Sequence, residues 1–169
     1  IFLNHLAGVL DNWDPRVVDG IAARHRVVTF DNRGIGASQG TTPRSVATMA
    51  RDAVAFIRAL GYDRVDLLGF SLGGMVAQHM VLERPTIFRR VILVGTAPRG
   101  GEDIMHLEKP RLATHLQDPS NKGYGVLQKI FFTLTPSGQA AGVSFVERLA
   151  ERKEDLDGVS GPTVANAQM

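Results

Sequence analysis

Between the apolar run Val65-Asp66-Leu67-Leu68 and a helix-like stretch from Leu72 onward stands the pentapeptide Gly69-Phe70-Ser71-Leu72-Gly73. A strand that passes into a helix through a single serine needs a sharp turn. That turn forces strained backbone angles on the serine and brings strand and helix too close for side chains two residues to either side. Glycine at positions 69 and 73, where a Cβ would clash, answers this requirement. The hydroxyl then projects unhindered, and the free N–H groups of the following helix point toward it, where they favour negative charge.

The rest of the chain has the rhythm such a turn demands. Ile1 to Leu3 reads as a buried strand, followed by the polar turn Asn4-His5-Leu6-Ala7-Gly8. Trp13 to Ala23 reads as a short helix, with Asn12 or Asp14 as cap and Pro15 tolerated in its first turn. Val27 to Phe30 reads as a second strand, running into the glycine-punctuated loop Asp31-Asn32-Arg33-Gly34-Ile35-Gly36-Ala37-Ser38. Ser45 to Leu60 is the clearest helix: Val46, Met49, Ala50, Ala53, Ile57 and Leu60 share one face, and Gly61 ends it. Leu72 to Arg84 is the helix behind the serine, stopped by Pro85. Val91 to Val94 is a fourth strand with no polar face, as expected for a parallel strand covered on both sides. Strands alternating with helices imply an α/β fold with a mostly parallel sheet flanked by helices. Beyond about Gly100 the strands cease. Ile104 to Gln117, Tyr124 to Thr133 and Ser137 to Arg152 read as helices, and a further helix begins after Gly161. The expected division is therefore a core over residues 1–99 and a helical portion over 100–169, with Pro98-Arg99-Gly100-Gly101 as the boundary.

Composition excludes several classes. A net charge of +2, with basic residues scattered among acids, argues against nucleic acid or anionic lipid as partner. No uncharged span is long enough for a membrane helix. With no cysteine there can be no disulfide, thiol catalysis or thiolate metal site, which fits a reducing, cytoplasmic setting. No metal is expected. Gly34-Ile35-Gly36 imitates a dinucleotide fingerprint, but Gln39 stands where the third glycine should be and no helix opens there. Asp31 and Arg33 are instead expected to tie this loop down through a carboxylate–guanidinium contact.

Four blocks in this order and spacing resemble the α/β-hydrolase superfamily, particularly its compact bacterial members with a helical cap: Asn4-His5-Leu6-Ala7-Gly8 with Asp11-Asn12-Trp13-Asp14-Pro15; Asp31 to Ser38; Gly69-Phe70-Ser71-Leu72-Gly73-Gly74; and Arg90-Val91-Ile92-Leu93-Val94-Gly95. The resemblance covers essentially every residue. It implies a partial α/β-hydrolase core followed by a partial helical cap. It makes Ser71 the nucleophile on the nucleophile elbow and the backbone N–H of Leu72 one oxyanion donor. The second donor would come from the turn after the first strand, near Leu6 or Ala7, with Ala7 favoured. His5 would orient that turn rather than act as base, because in this family the histidine follows the serine. Leu6, Trp13 and Phe70 would line the acyl pocket, although aromatics in such places more often serve the core.

The family also implies strands before Ile1 and after the cap, and an acid and histidine beyond Met169. The chain, which starts inside an apolar run without methionine, is thus expected to be a piece of a longer one. Glu102 or Asp103 could supply the acid, but a solvated cap entrance with Asp103 capping a helix is the simpler reading. His79, eight residues along the helix from Ser71, is expected to pack or snorkel, and His25, His106 and His115 have no partnering pattern. Bare sheet edges would invite self-association. The expected activity is that of a serine hydrolase on a small ester or related acyl substrate, with no cofactor. A cofactor-free perhydrolase or carbon–carbon bond hydrolase would use the same residues. A non-catalytic ligand-binding relative would not need a strained serine. Serine rather than aspartate at the elbow argues against dehalogenase and epoxide-hydrolase chemistry.

Overall fold

The computed structural model describes residues 1–101, 123–157 and 160–168. It divides into two compact units: Ile1–Leu10, Arg26–Gly101 and the described residues from Asp157 onward form one, and Asp11–His25 with the described residues up to Leu156 form the other.

The first unit holds a parallel sheet of three strands among the described residues, in the order β1 (Phe2–Leu3), β2 (Val65–Phe70), β3 (Phe88–Val94). Register is set by Leu3 opposite Gly69 and by Gly69 opposite Leu93, so the elbow strand β2 is interior, as expected. Helix α2 (Val46–Ala59) is capped by the Ser45 hydroxyl, which accepts from Thr48 N. It buries Met49, Ala50, Ala53, Val54 and Ile57; Leu60, at the end of the expected stripe, is exposed. Helix α3 (Leu72–Glu83) packs against all three strands and α2. Leu3, Ile57, Leu67, Val76 and Met80 meet in the core this creates. Each such buried side chain stabilises the fold by about 1.5–3 kcal/mol. A helix over Pro162–Gln168 (labelled α6) completes the unit.

Two expectations for the sheet need correction. Val27–Phe30 lies beside β1, where Phe2 N donates to Val28 O at 3.0 Å, but no ladder forms there. The reason is geometric: alternate residues of a strand turn their N–H and C=O to opposite sides, and β1 has only two residues to offer. The apolar run of β3 is not covered on both sides, for Val91, Ile92, Leu93 and Val94 are all exposed, Ile92 by 53%. An exposed apolar strand is a template for pairing with another chain. The 169-residue chain is expected to scatter light as an oligomer, with Ile92→Lys shifting it toward monomer. A monodisperse monomer before substitution would contradict this.

The second unit is helical among the described residues: α1 (Pro15–Ala22), α4 (Gly125–Phe131) and α5 (Pro136–Leu149). Asp14 caps α1 by accepting from Arg16 N at 2.9 Å, and it also takes a bidentate contact from Arg148 of α5. The Arg148 guanidinium holds the Asp14 carboxyl below its usual range. Arg152 Nη1 donates to Oδ1 of buried Asp11, while its Nε and Nη2 donate to the carbonyls of Glu154 and Asp155. α4 and α5 pack against each other, with Gly142 of α5 close against the Gln128 side chain and a Gln128–Gln139 side-chain bond of 3.1 Å. The helix expected over Ile104–Gln117 lies outside the described residues. Among those described, no helix is long and apolar enough to cross a membrane, and no cluster of metal-ligating side chains occurs.

Candidate active site

The chain passes from β2 to α3 through Ser71 alone, whose φ is 53° and ψ −117°. Positive φ costs an L-residue about 1–2 kcal/mol, so surrounding contacts must hold it. Ser71 N donates to Val94 O at 2.9 Å and Thr96 Oγ1 donates to Ser71 O at 2.7 Å, fixing the strained residue to β3 and the segment after it. The close approach that the glycines were expected to permit is present. A Cβ on Gly69 would stand 2.6 Å from Gly73 O, and one on Gly73 would meet Leu3 O and, at 2.7 Å, Asn4 O. Gly74 faces the Thr96 side chain in the same manner.

Leu72 opens α3, and its N–H has no partner among the described residues, as the first turn of a helix requires. Ser71 Oγ likewise takes no hydrogen-bond partner among them. His5, His25 and His79 are all described, and none reaches it. His79 pairs instead with Glu83 at 3.0 Å, one turn along α3. His106, His115, Glu102 and Asp103 lie outside the described residues.

The turn after β1 stands at the same carboxyl end of the sheet. Asn4, which sequence reasoning passed over, organises it: Oδ1 accepts from His5 N at 2.9 Å and Nδ2 donates to Val9 O at 2.5 Å. A short amide side chain just after a strand is the signal that could have marked it. His5 is 7% exposed, its Nδ1 donates to Leu6 O at 2.9 Å, and its ring meets Phe70 edge-on at 5.6 Å. Burial depresses its pKa to about 4, so the ring is neutral at pH 7. Ala7 has φ 54°. Its N–H is donated to Gln168 Oε1 at 2.7 Å, whereas the N–H of Leu6 takes no partner among the described residues. Neither Gln168 nor Thr96 carried any signal in the sequence. Leu6 and Phe70 are half-buried in this unit; Trp13, in the other, is also half-buried.

The loop after residues 27–30 is held differently from expectation. Arg33 forms its carboxylate contact with Asp52 of α2, at 2.7 and 2.9 Å, not with Asp31. Asp31 is buried; Oδ1 accepts from Leu10 N at 2.7 Å, and desolvation together with the neighbouring Asp157 carboxyl pushes its pKa up to about 6. An open groove of about 350 Å³ runs past Phe30, Arg33, Asp52 and Phe56, and none of the expected site residues lines it.

His5 and Asp31 act on stability with opposite signs. Between pH 4 and 6.5 His5 is protonated only when unfolded, so its burial favours folding more as pH rises, by about 1.4 kcal/mol per unit. Between pH 3.8 and 6 Asp31 is protonated only when folded, so its contribution falls as pH rises. The two slopes offset. Asp31→Asn removes one of them, and urea unfolding of that variant is expected to show stability climbing from pH 4 to 6.5 more steeply than in the parent. Parallel profiles would refute the assignment.

Comparison with known proteins agrees with this geometry. The family described as alpha/beta hydrolase fold matches residues 1–145. An alpha/beta hydrolase fold protein from Chitinophaga pinensis superposes with a TM-score of 0.89 at 36% identity, covering 99% of this chain and 59% of that one. The "Putative non-heme bromoperoxidase BpoC" of Mycobacterium tuberculosis H37Rv is 32% identical over 59% of this chain and 38% of its own length. The "Putative carbamate hydrolase RutD" of Rhizobium rhizogenes K84 is 32% identical over 56% of this chain and 36% of its own. The alignments thus span less than two fifths of these curated relatives. A family match over most of the residues, a parallel sheet with the elbow strand in its interior, and a solved relative superposing along nearly the whole length lead to one assignment: the chain belongs to the alpha/beta hydrolase fold family.

Proposed function

We propose that these residues carry the nucleophile and the oxyanion hole of a serine hydrolase acting on a small ester or related acyl substrate. One observation carries the reading: a serine held at φ 53° where an interior parallel strand meets a helix N-terminus, with its hydroxyl unpartnered among the described residues. Strain of this kind is retained where it serves function. Ser71 Oγ attacks the acyl carbonyl, and its proton passes to a base outside the described residues. The tetrahedral oxygen accepts from Leu72 N–H and from the turn after β1. There Leu6 N–H is the available donor, and Ala7 takes part only when the Gln168 carboxamide withdraws. One such donor is worth about 2.7–4 kcal/mol in the transition state. Leaving-group departure gives an acyl-enzyme that water hydrolyses.

Carbamate cleavage, the activity in RutD's name, is also acyl transfer to water and places its carbonyl in the same hole. The complete protein carrying these residues is expected to take up a fluorophosphonate probe, with the adduct mapped by mass spectrometry to Ser71. An unlabelled active protein, or an adduct elsewhere, would reject the proposal.

A further inference from the structure

The Gln168 side chain closes a circuit that neither the fold nor the proposed chemistry accounts for. It is 8% exposed and stands against the turn after β1, 161 residues away in sequence. The Ala7 N–H needs an acceptor, so the carboxamide is oriented with Oε1 toward the turn. That leaves Nε2 as the other end of the carboxamide, turned away from the Ala7 N–H. Nε2 is buried and has no hydrogen-bond partner among the described residues. A buried amide donor left unmade is unfavourable, and most such groups in native proteins find a protein or ligand acceptor. Nε2 shares one carboxamide with Oε1, so it lies within that group's width of Ala7. Ala7 is itself one residue from the Leu6 N–H assigned to the oxyanion hole.

The geometry points to Gln168 as a specificity-determining positioning residue. Oε1 holds the strained Ala7 in place beside the hole, and Nε2 donates to a second oxygen on the acyl group, one or two atoms from the scissile carbonyl. The favoured substrates are therefore alkoxy-, hydroxy- or oxo-substituted acyl esters rather than plain alkanoyl esters. The inference rests on the serine-hydrolase reading and deepens it.

The test uses the complete protein and two esters of nearly equal size, 4-nitrophenyl methoxyacetate and 4-nitrophenyl butyrate. Their ratio of kcat/KM cancels general damage to the enzyme. Gln168→Glu keeps an oxygen for Ala7 N–H and removes the donor; Gln168→Met removes both. In Gln168→Glu the methoxyacetate-to-butyrate ratio is expected to fall about tenfold, mainly through KM, with fluorophosphonate labelling of Ser71 retained. In Gln168→Met the ratio falls as far, and labelling slows because the Ala7 turn loses its support. If Gln168→Met does not fold, Gln168→Glu alone decides. An unchanged ratio with labelling intact overturns the role of Gln168 and leaves the nucleophile untouched. A rise in kcat/KM for both esters also overturns it, since that would mark the side chain as a plug. Absence of Ser71 labelling in the unsubstituted protein overturns the serine-hydrolase reading instead.

Discussion

Ser71→Ala in the complete protein is expected to lower kcat for ester hydrolysis by about 10⁴- to 10⁶-fold, the loss typical when a nucleophile acting in concert with its base is removed. KM should change little, because the hydroxyl contributes to the transition state more than to binding. A second substitution at the same position separates chemistry from strain. Alanine keeps the Cβ that makes φ 53° unfavourable; glycine does not. Ser71→Gly is therefore expected to be as inactive as Ser71→Ala yet more stable than it by about 1 kcal/mol, roughly 2–4 °C in melting temperature for a chain of this size. Both variants keep Thr96 Oγ1 and the Val94 carbonyl as anchors, so the difference reports the torsional strain less the extra backbone entropy that glycine loses on folding. Near-wild-type hydrolysis by either variant would remove Ser71 from the mechanism. A melting temperature for Ser71→Gly below that of Ser71→Ala would mean the elbow is relaxed.

What could be read beforehand follows from how far each constraint reaches along the chain. The elbow was readable because its causes lie within six residues: strand, turn, helix and the glycines between them. α2 was readable from its apolar stripe and from Gly61 at its end. The pairing of Arg33 was missed because its partner Asp52 lies on a separate helix, 19 residues on, while Asp31 was merely the nearest carboxylate in sequence. The exposure of β3 was missed because an all-apolar run records what a strand can bury, not what actually covers it. The Ala7 donor illustrates the limit most directly. A turn's sequence tells which N–H groups are present, but a side chain 161 residues away decides which of them is already engaged.

Three glycine-to-alanine substitutions test whether the close approach at the elbow is what requires Gly73. The chemical change is the same in each, so only the surroundings differ. A Cβ at position 73 runs into the carbonyl oxygens of Leu3 and Asn4. Both are backbone atoms, and Leu3 is fixed by its pairing with Gly69, so neither can retreat without separating β1 from β2. Gly73→Ala is expected to cost about 3 kcal/mol or more, a large share of the roughly 5–15 kcal/mol that holds a domain folded. At Gly61 nothing lies within 4 Å, but φ is +78°, so alanine there costs only the left-handed penalty of about 1 kcal/mol. At Gly20, in α1, there is neither a neighbour within 4 Å nor a positive φ. Alanine there should stabilise by about 0.5–1 kcal/mol, because it lowers the backbone entropy lost on folding. Denaturant midpoints should therefore rank Gly20→Ala above the parent, Gly61→Ala slightly below it and Gly73→Ala far below. If Gly73→Ala fell no further than Gly61→Ala, the helix would not be pressed against the end of β1, and the geometry assigned to the nucleophile would lose its support.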